Sequence, residues 1–172
     1  DTVANMQKYR PTIPFTGFRR TTSGMEHGRL RVLIMVQADG TYKPDGTIQF
    51  HFKKKRKIER CKYLLRQTEI PFTVKDYEKS DTSVITVVSR CVPLWLRIFR
   101  DKTFGTWLFD ESADVFFDEL PYWDGYHCGP SSLQYSTCNK QNADIVQAFA
   151  HISGRSAVIK VKKRSAEHPN WK

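Results

Sequence analysis

The chain has 172 residues, 40% hydrophobic and 13% aromatic, with 28 Lys and Arg against 18 Asp and Glu. That is enough apolar material for one domain with its own core, and it excludes an intrinsically disordered chain. The net charge of +10 favours a polyanionic partner, nucleic acid before a membrane surface, and no apolar run approaches the ~20 residues of a membrane span.

In chain order, residues 1–27 contain YRPTIPFTGFRR, whose prolines, glycine and arginines read as an extended arm. RLRVLIMVQADG follows. Leu30, Leu33, Ile34 and Val36 fit a helix over 28–38, with Gly40 as its stop. Asp39 then stands at a helix C-terminus, where the dipole disfavours an anion. TYKPDGTIQFHF reads as a hairpin turning at Pro44-Asp45-Gly46. In its returning strand Ile48, Phe50 and Phe52 share one face, and Gln49, His51 and Lys53 the other. KIERCKYLLRQ is an amphipathic helix with Ile58, Cys61, Leu64 and Leu65 inward. IPFTVKDY and SVITVVS are two further strands, and VPLWLRIF is a closing helix with Pro93 in its first turn. The order is helix, strand, strand, helix, strand, strand, helix.

The same order then recurs. VFFDELPYWDGY repeats the apolar-Asp-Gly pattern, and Asp124 lies 85 positions after Asp39. At that offset Ile48-Gln49-Phe50 falls on Leu133-Gln134-Tyr135, Lys55 on Lys140, and Phe72 to Lys75 on Ala157 to Lys160. Self-similarity at one offset points to duplication of a structural unit. The second unit reads as a helix near 112–123, strands around 126–129 and 132–137, a helix over 140–153 and a strand over 156–163. It then stops: Thr82 to Thr86 would map onto EHPNW, which is no apolar strand. The second unit is one strand and one helix short. The division is an arm over 1–27, a first unit over 28–108 and a second over 109–172.

The repeat gives the two acids a meaning. If the two Asp-Gly helices pack side by side, Asp39 and Asp124 arrive at one end of one interface. Small residues favour such close approach, which makes Gly40 and Gly125 candidates for the helix contact. Paired carboxylates repel unless a cation separates them, and oxygen donors suit a hard divalent ion such as Mg²⁺. Such a centre can activate water for phosphodiester hydrolysis. Cys61, Cys91, Cys128 and Cys138 form no C-x-x-C pair, which argues against a zinc ribbon and for free thiols.

With these residues in place, the chain resembles the LAGLIDADG homing endonucleases of the dodecapeptide type, found within inteins and phage genes. RLRVLIMVQADG and FFDELPYWDG resemble the two signature helices, and FHFKKKRKIERCKYLL and YSTCNKQNADIVQAFAHISG the strand-helix segments after them. The resemblance covers about residues 28–163. It implies an α+β fold of two pseudo-symmetric αββαββα units, here with the second incomplete, whose helices pair centrally and whose sheets form a saddle over DNA. It implies site-specific double-strand cleavage, with Mg²⁺ or another divalent metal held by Asp39 and Asp124 and by the backbone carbonyls of Ala38 and Trp123. Arg90, in Arg90-Cys91-Val92-Pro93, matches the family's basic position before the closing helix. His51, and Ser136 in the second unit, match a polar position near the metals.

Base and phosphate contacts are expected from Gln49, Lys53, Lys54, Lys55, Lys75, Gln134, Lys140, Lys160 and Lys162. Double-stranded DNA is the implied partner, with intron RNA, a splicing domain or a completing chain as further ones and no membrane. The implied setting is the cytoplasm and nucleoid of a bacterium or phage-infected cell. The sequence departs from the family at Pro121, which should loosen the last turn of the second signature helix. It departs again in its short second unit and in lacking splicing motifs. A member that binds DNA or RNA without cutting, or a structural module in a larger assembly, are the competing readings.

Overall fold

In a computed structural model of the chain, residues 24–129 and 132–161 are described. Most of the expected arm, and Lys162, lie outside them.

Helix α1 spans His27–Asp39, and Glu26 closes its start by accepting the Gly28 N–H at 2.9 Å. Leu30 and Val32 to Gln37 are all buried, so α1 beyond its first turn has no solvent-facing side. A helix stretch buried on every side must be covered on every side, and α1 packs against a second helix, a strand of the sheet and the signature helix of the second unit. Strands β1 (Thr41–Tyr42) and β2 (Ile48–Phe52) form the expected hairpin. Gly46 takes a φ of +85°, which favours glycine, and the Asp45 carboxylate accepts from the Thr47 N–H at 2.9 Å.

Helix α2 (Lys55–Gln67) buries Cys61, Leu64 and Leu65. Strands β3 (Thr73–Tyr77) and β4 (Thr82–Val87) complete an antiparallel sheet of order β1-β2-β4-β3. Phe50 pairs with Ile85 and Ile48 with Val87, all buried, so one sheet face lies on the core. The closing helix α3 keeps only Leu94–Arg97 of the eight-residue run. Arg97 turns back to donate to the carbonyls of Val92 and Ser89, both at 3.0 Å.

In the second unit, α4 covers Ala113–Glu119 and continues as a 3-10 turn, Leu120–Tyr122. Pro121 is the reason: it has no N–H to offer the preceding turn. The Trp123 N–H closes the tighter turn on the Leu120 carbonyl at 3.1 Å. Strands β5 (Gly125–Gly129) and β6 (Ser132–Tyr135) pair antiparallel, and α5 spans Lys140–Ile152. The offset of 85 carries both ends of α2 onto both ends of α5. Phe116 packs edge-on to Phe104 and Phe149, with ring centroids 5.3 and 5.5 Å apart. This aromatic group joins the α1 and sheet side chains in one core.

Of the strand expected over 156–163, the described residues 156–161 form no strand, and Val158 and Val161 are exposed. The first unit supplies the reason. There β3 bonds only to β4, and among the described residues the second unit has no counterpart of β4. In place of a ladder, the Ala157 carbonyl accepts from Gln147 and its N–H donates to His151 Nε2. Lys160 therefore sits in irregular chain, not in a strand matching Lys75. No helix among the described residues is long and apolar enough to cross a membrane.

Candidate functional site

The two signature helices, α1 and α4, pack against one another. Asp39 ends the first and Asp124 follows the 3-10 extension of the second. Burial pushes the Asp124 carboxyl above its ordinary range, the charge of Asp39 raises it further, and Lys57 and Lys102 offset part of the rise. The Lys57 ammonium lies 2.5 Å from Asp39 Oδ2. It supplies the cation that an acid at a helix C-terminus needs.

Lys57 belongs to a basic stripe at the start of α2 whose neighbours Arg56 and Arg60 bond the other unit. Arg56 Nη1 donates to the carbonyls of Pro121 and Tyr122, at 3.1 and 2.9 Å. These are groups at the C-terminal end of the second signature helix. Arg60 forms an ion pair with Glu119, which is fully buried. Arg31 of α1 reaches the same carboxylate at 2.8 Å, and the Trp123 indole N–H donates to it at 3.0 Å. Arg60 also stacks over Tyr122, 4.3 Å from the ring centroid, and Trp123 packs on Phe52 at 5.9 Å.

Gly40 and Gly125 are needed for a contact other than the expected one between helices. A Cβ on Gly40 would stand 2.7 Å from the Val36 carbonyl oxygen, and one on Gly125 3.0 Å from that of Leu120. Each glycine is pressed against the last turn preceding its own strand. Gly40→Ala forces that backbone apart and is expected to cost roughly 1–3 kcal/mol, as overpacking does, measured by urea unfolding. An unchanged midpoint would show that the turn yields freely.

The other candidate residues fall into two places. On the outer sheet face, Thr41, Gln49, Thr86 and Thr73 stand in one cross-strand row and His51, Val84 and Lys75 in the next. Gln49 donates to Thr86 Oγ1 at 3.5 Å, and the Lys75 ammonium lies 4.9 Å from the Tyr77 ring centroid. Lys53, Lys54 and Lys55 are exposed where β2 runs into α2. Away from this face, Gln134 accepts the Tyr126 hydroxyl at 2.6 Å, and Lys140 pairs with Asp144 at 2.5 Å across one turn of α5.

Arg90 is exposed on the turn Ser89–Cys91, near the β1–β2 turn, and no described contact joins it to the aspartates. His51 is exposed and likewise touches neither acid. Ala38 is half-buried and Trp123 buried, each directly before its aspartate.

Sequence reasoning missed Lys57, Arg60, Arg31 and the buried role of Glu119. Within the run KKKRK, Lys53 to Lys55 are exposed, while Arg56 is bonded to the Pro121 and Tyr122 carbonyls and Lys57 to Asp39. A signal was present. Lys57, Cys61 and Leu64 follow helical spacing, so Lys57 lies on the inward stripe.

No protein-family model matches the chain. Over 162 residues it is 32% identical to the ribonucleoside-diphosphate reductase subunit beta of Aquifex aeolicus (strain VF5), covering 83% of this chain and 23% of that protein. The chain thus corresponds to about a quarter of that curated relative. In three dimensions it is similar to the N-terminal LAGLIDADG domain of DUF199/WhiA, a crystal structure. The TM-score is 0.52, the identity 14%, and 84% of this chain and 75% of that one are covered. A likeness at that identity is one of fold: the chain adopts an α+β LAGLIDADG fold.

Proposed function

We propose that this chain is a nucleic-acid-binding domain that holds duplex DNA against the outer face of its four-stranded sheet. The observation that carries this reading is the register. Four polar side chains from four strands, Thr41, Gln49, Thr86 and Thr73, form one continuous row. Lys75 stands in the next row, and Lys53 to Lys55 are exposed just beyond β2. Strands can present side chains to base edges in the major groove, while lysines bind phosphate and release counter-ions. The net charge of +10 acts in the same direction. The reductase match covers a minor part of that protein, and its activity is not carried over to this chain.

Cleavage is the second reading, favoured by the packing of the two signature helices at whose ends Asp39 and Asp124 stand. The donors fit a hard cation. Two carboxylates with the backbone carbonyls of Ala38 and Trp123 are all oxygen ligands, and Mg²⁺ is commonly held by one or two carboxylates with water completing the shell. A bound Mg²⁺ would supply water activation and charge stabilisation at phosphate. The chain's own residues do other work. Lys57 balances Asp39, Arg56 satisfies the open carbonyls at the end of the second signature helix, and Glu119 ties that helix to α1 and α2.

Binding without cleavage is the reading adopted, because Asp39 already has a cation in Lys57 and the second sheet has only two described strands. The test is a mobility-shift assay on a randomised duplex library, run beside incubation with Mg²⁺ or EDTA. Retarded duplex that weakens with salt and stays uncut in Mg²⁺ is the expected result. Metal-dependent double-strand cuts, lost in Asp39→Asn, would replace this reading with the endonuclease. No retardation at low salt would remove both.

A further inference from the structure

The matching bounds of α2 and α5 allow the two units to be compared residue by residue. At the offset of 85, Lys57 corresponds to Asn142. Asn142 does not serve Asp124. It is buried, and its Oδ1 accepts the Phe104 N–H at 2.8 Å, holding the segment that leads into the second unit. Among the described residues, no lysine of its own unit acts on the second aspartate. Lys102 acts on it only from an exposed loop position. Lys57 bonds Asp39 directly, and its charge reaches Asp124.

That contact has a steric side as well as an electrostatic one. The ammonium nitrogen stands 2.5 Å from Asp39 Oδ2, and the Lys57 side chain is only 13% exposed. A divalent ion ligated by that oxygen would need the same space. It would also place a second positive centre beside the ammonium, and like charges at such separations repel strongly where water is scarce.

We propose that Lys57 is the resident counter-ion of the Asp39–Asp124 pair, and that a divalent cation enters only by displacing its ammonium. Lys57 then sets the affinity of the pair for divalent cations. The inference rests on the aspartate pair as a cation site and is independent of the nucleic-acid reading.

Mn²⁺ binding tests it, followed by the electron paramagnetic resonance signal of the free ion in the full chain. Lys57→Gln should bind Mn²⁺ at least about tenfold more tightly than the wild type, since it removes a neighbouring like charge. Lys57→Gln/Asp39→Asn should lose that gain. Equal affinity in wild type and Lys57→Gln overturns the proposal, and so does the absence of Mn²⁺ binding in both.

Should Lys57→Gln fail to fold, the wild-type chain provides a second measurement. Acylation of Lys57 by an amine-reactive ester, mapped by mass spectrometry, should accelerate in millimolar Mn²⁺ as the ammonium is released. An unchanged rate overturns the proposal. Duplex retardation measured in EDTA separates the two readings, because its loss counts against nucleic-acid binding and leaves the Mn²⁺ result standing.

Discussion

Glu119→Ala should lower the unfolding free energy by about 3–5 kcal/mol, the cost of breaking a buried ion pair from one side. The carboxylate is wholly buried, while Arg31 and Arg60 keep side-chain exposures of 24% and 17%. Removing the acid leaves two guanidinium groups facing each other in a partly closed site. It also strips the Trp123 indole N–H of its acceptor. Burial works against the charged form of Arg60, and the Glu119 carboxylate, together with Tyr122 and Tyr63, holds the guanidinium above its ordinary range. The three partners come from α1, from α2 and from the end of the second signature helix. The loss therefore loosens the junction of the two units as well as one helix. Glu119→Gln retains an acceptor but no charge, and should fall between the wild type and the alanine variant. Denaturant unfolding followed by tryptophan fluorescence checks this directly. A change under ~1 kcal/mol in Glu119→Ala, the scale of an exposed ion pair, would show that the network contributes no more than surface charge does.

The second large effect is on binding. Each lysine that neutralises a duplex phosphate contributes about 0.9 to the slope of log K against log salt. Replacing Lys53, Lys54 and Lys55 together by Gln should make that slope shallower by ~2.7, if each meets one phosphate. Affinity near physiological salt should fall by more than about tenfold. The three side chains are exposed, so stability should hold. Lys140→Gln is the useful contrast. Its ammonium already pairs with Asp144, so its loss should change the slope less. Gln49→Ala and Lys75→Ala should act differently again, relaxing preference between sequences more than they flatten the salt dependence. Fluorescence anisotropy on one labelled duplex over a salt series measures all of these. A triple variant with the wild-type slope would move the phosphate contacts elsewhere on the molecule.

Much of the architecture was legible in the sequence because duplication leaves a copy to compare with. The second Asp-Gly fixed the offset, and the offset carried one long helix onto the other to the residue. Strand alternation then separated Ile48, Phe50 and Phe52 from Gln49 and His51, and burial follows that split. Pro121 marked the place where an α-helix tightens into a 3-10 turn.

What stayed hidden depends on long side chains and on partners distant in sequence. Spacing cannot show that Arg31 and Arg60, from different helices, converge on one glutamate. Nor does a run of five basic residues reveal that a helix begins inside it, turning Arg56 toward the other unit and Lys57 toward Asp39. The expected strand at 156–163 failed for a related reason. Alternation describes a segment that could pair, while pairing itself needs a neighbour.

The described sheets are unequal, four strands in one unit and two in the other. A duplex lying across both would meet a broad platform at one end and a single hairpin at the other. The molecule thereby acquires a heading. A palindromic target would be gripped lopsidedly, with its two arms protected to different lengths. An asymmetric target would be seated one way round and refused the other.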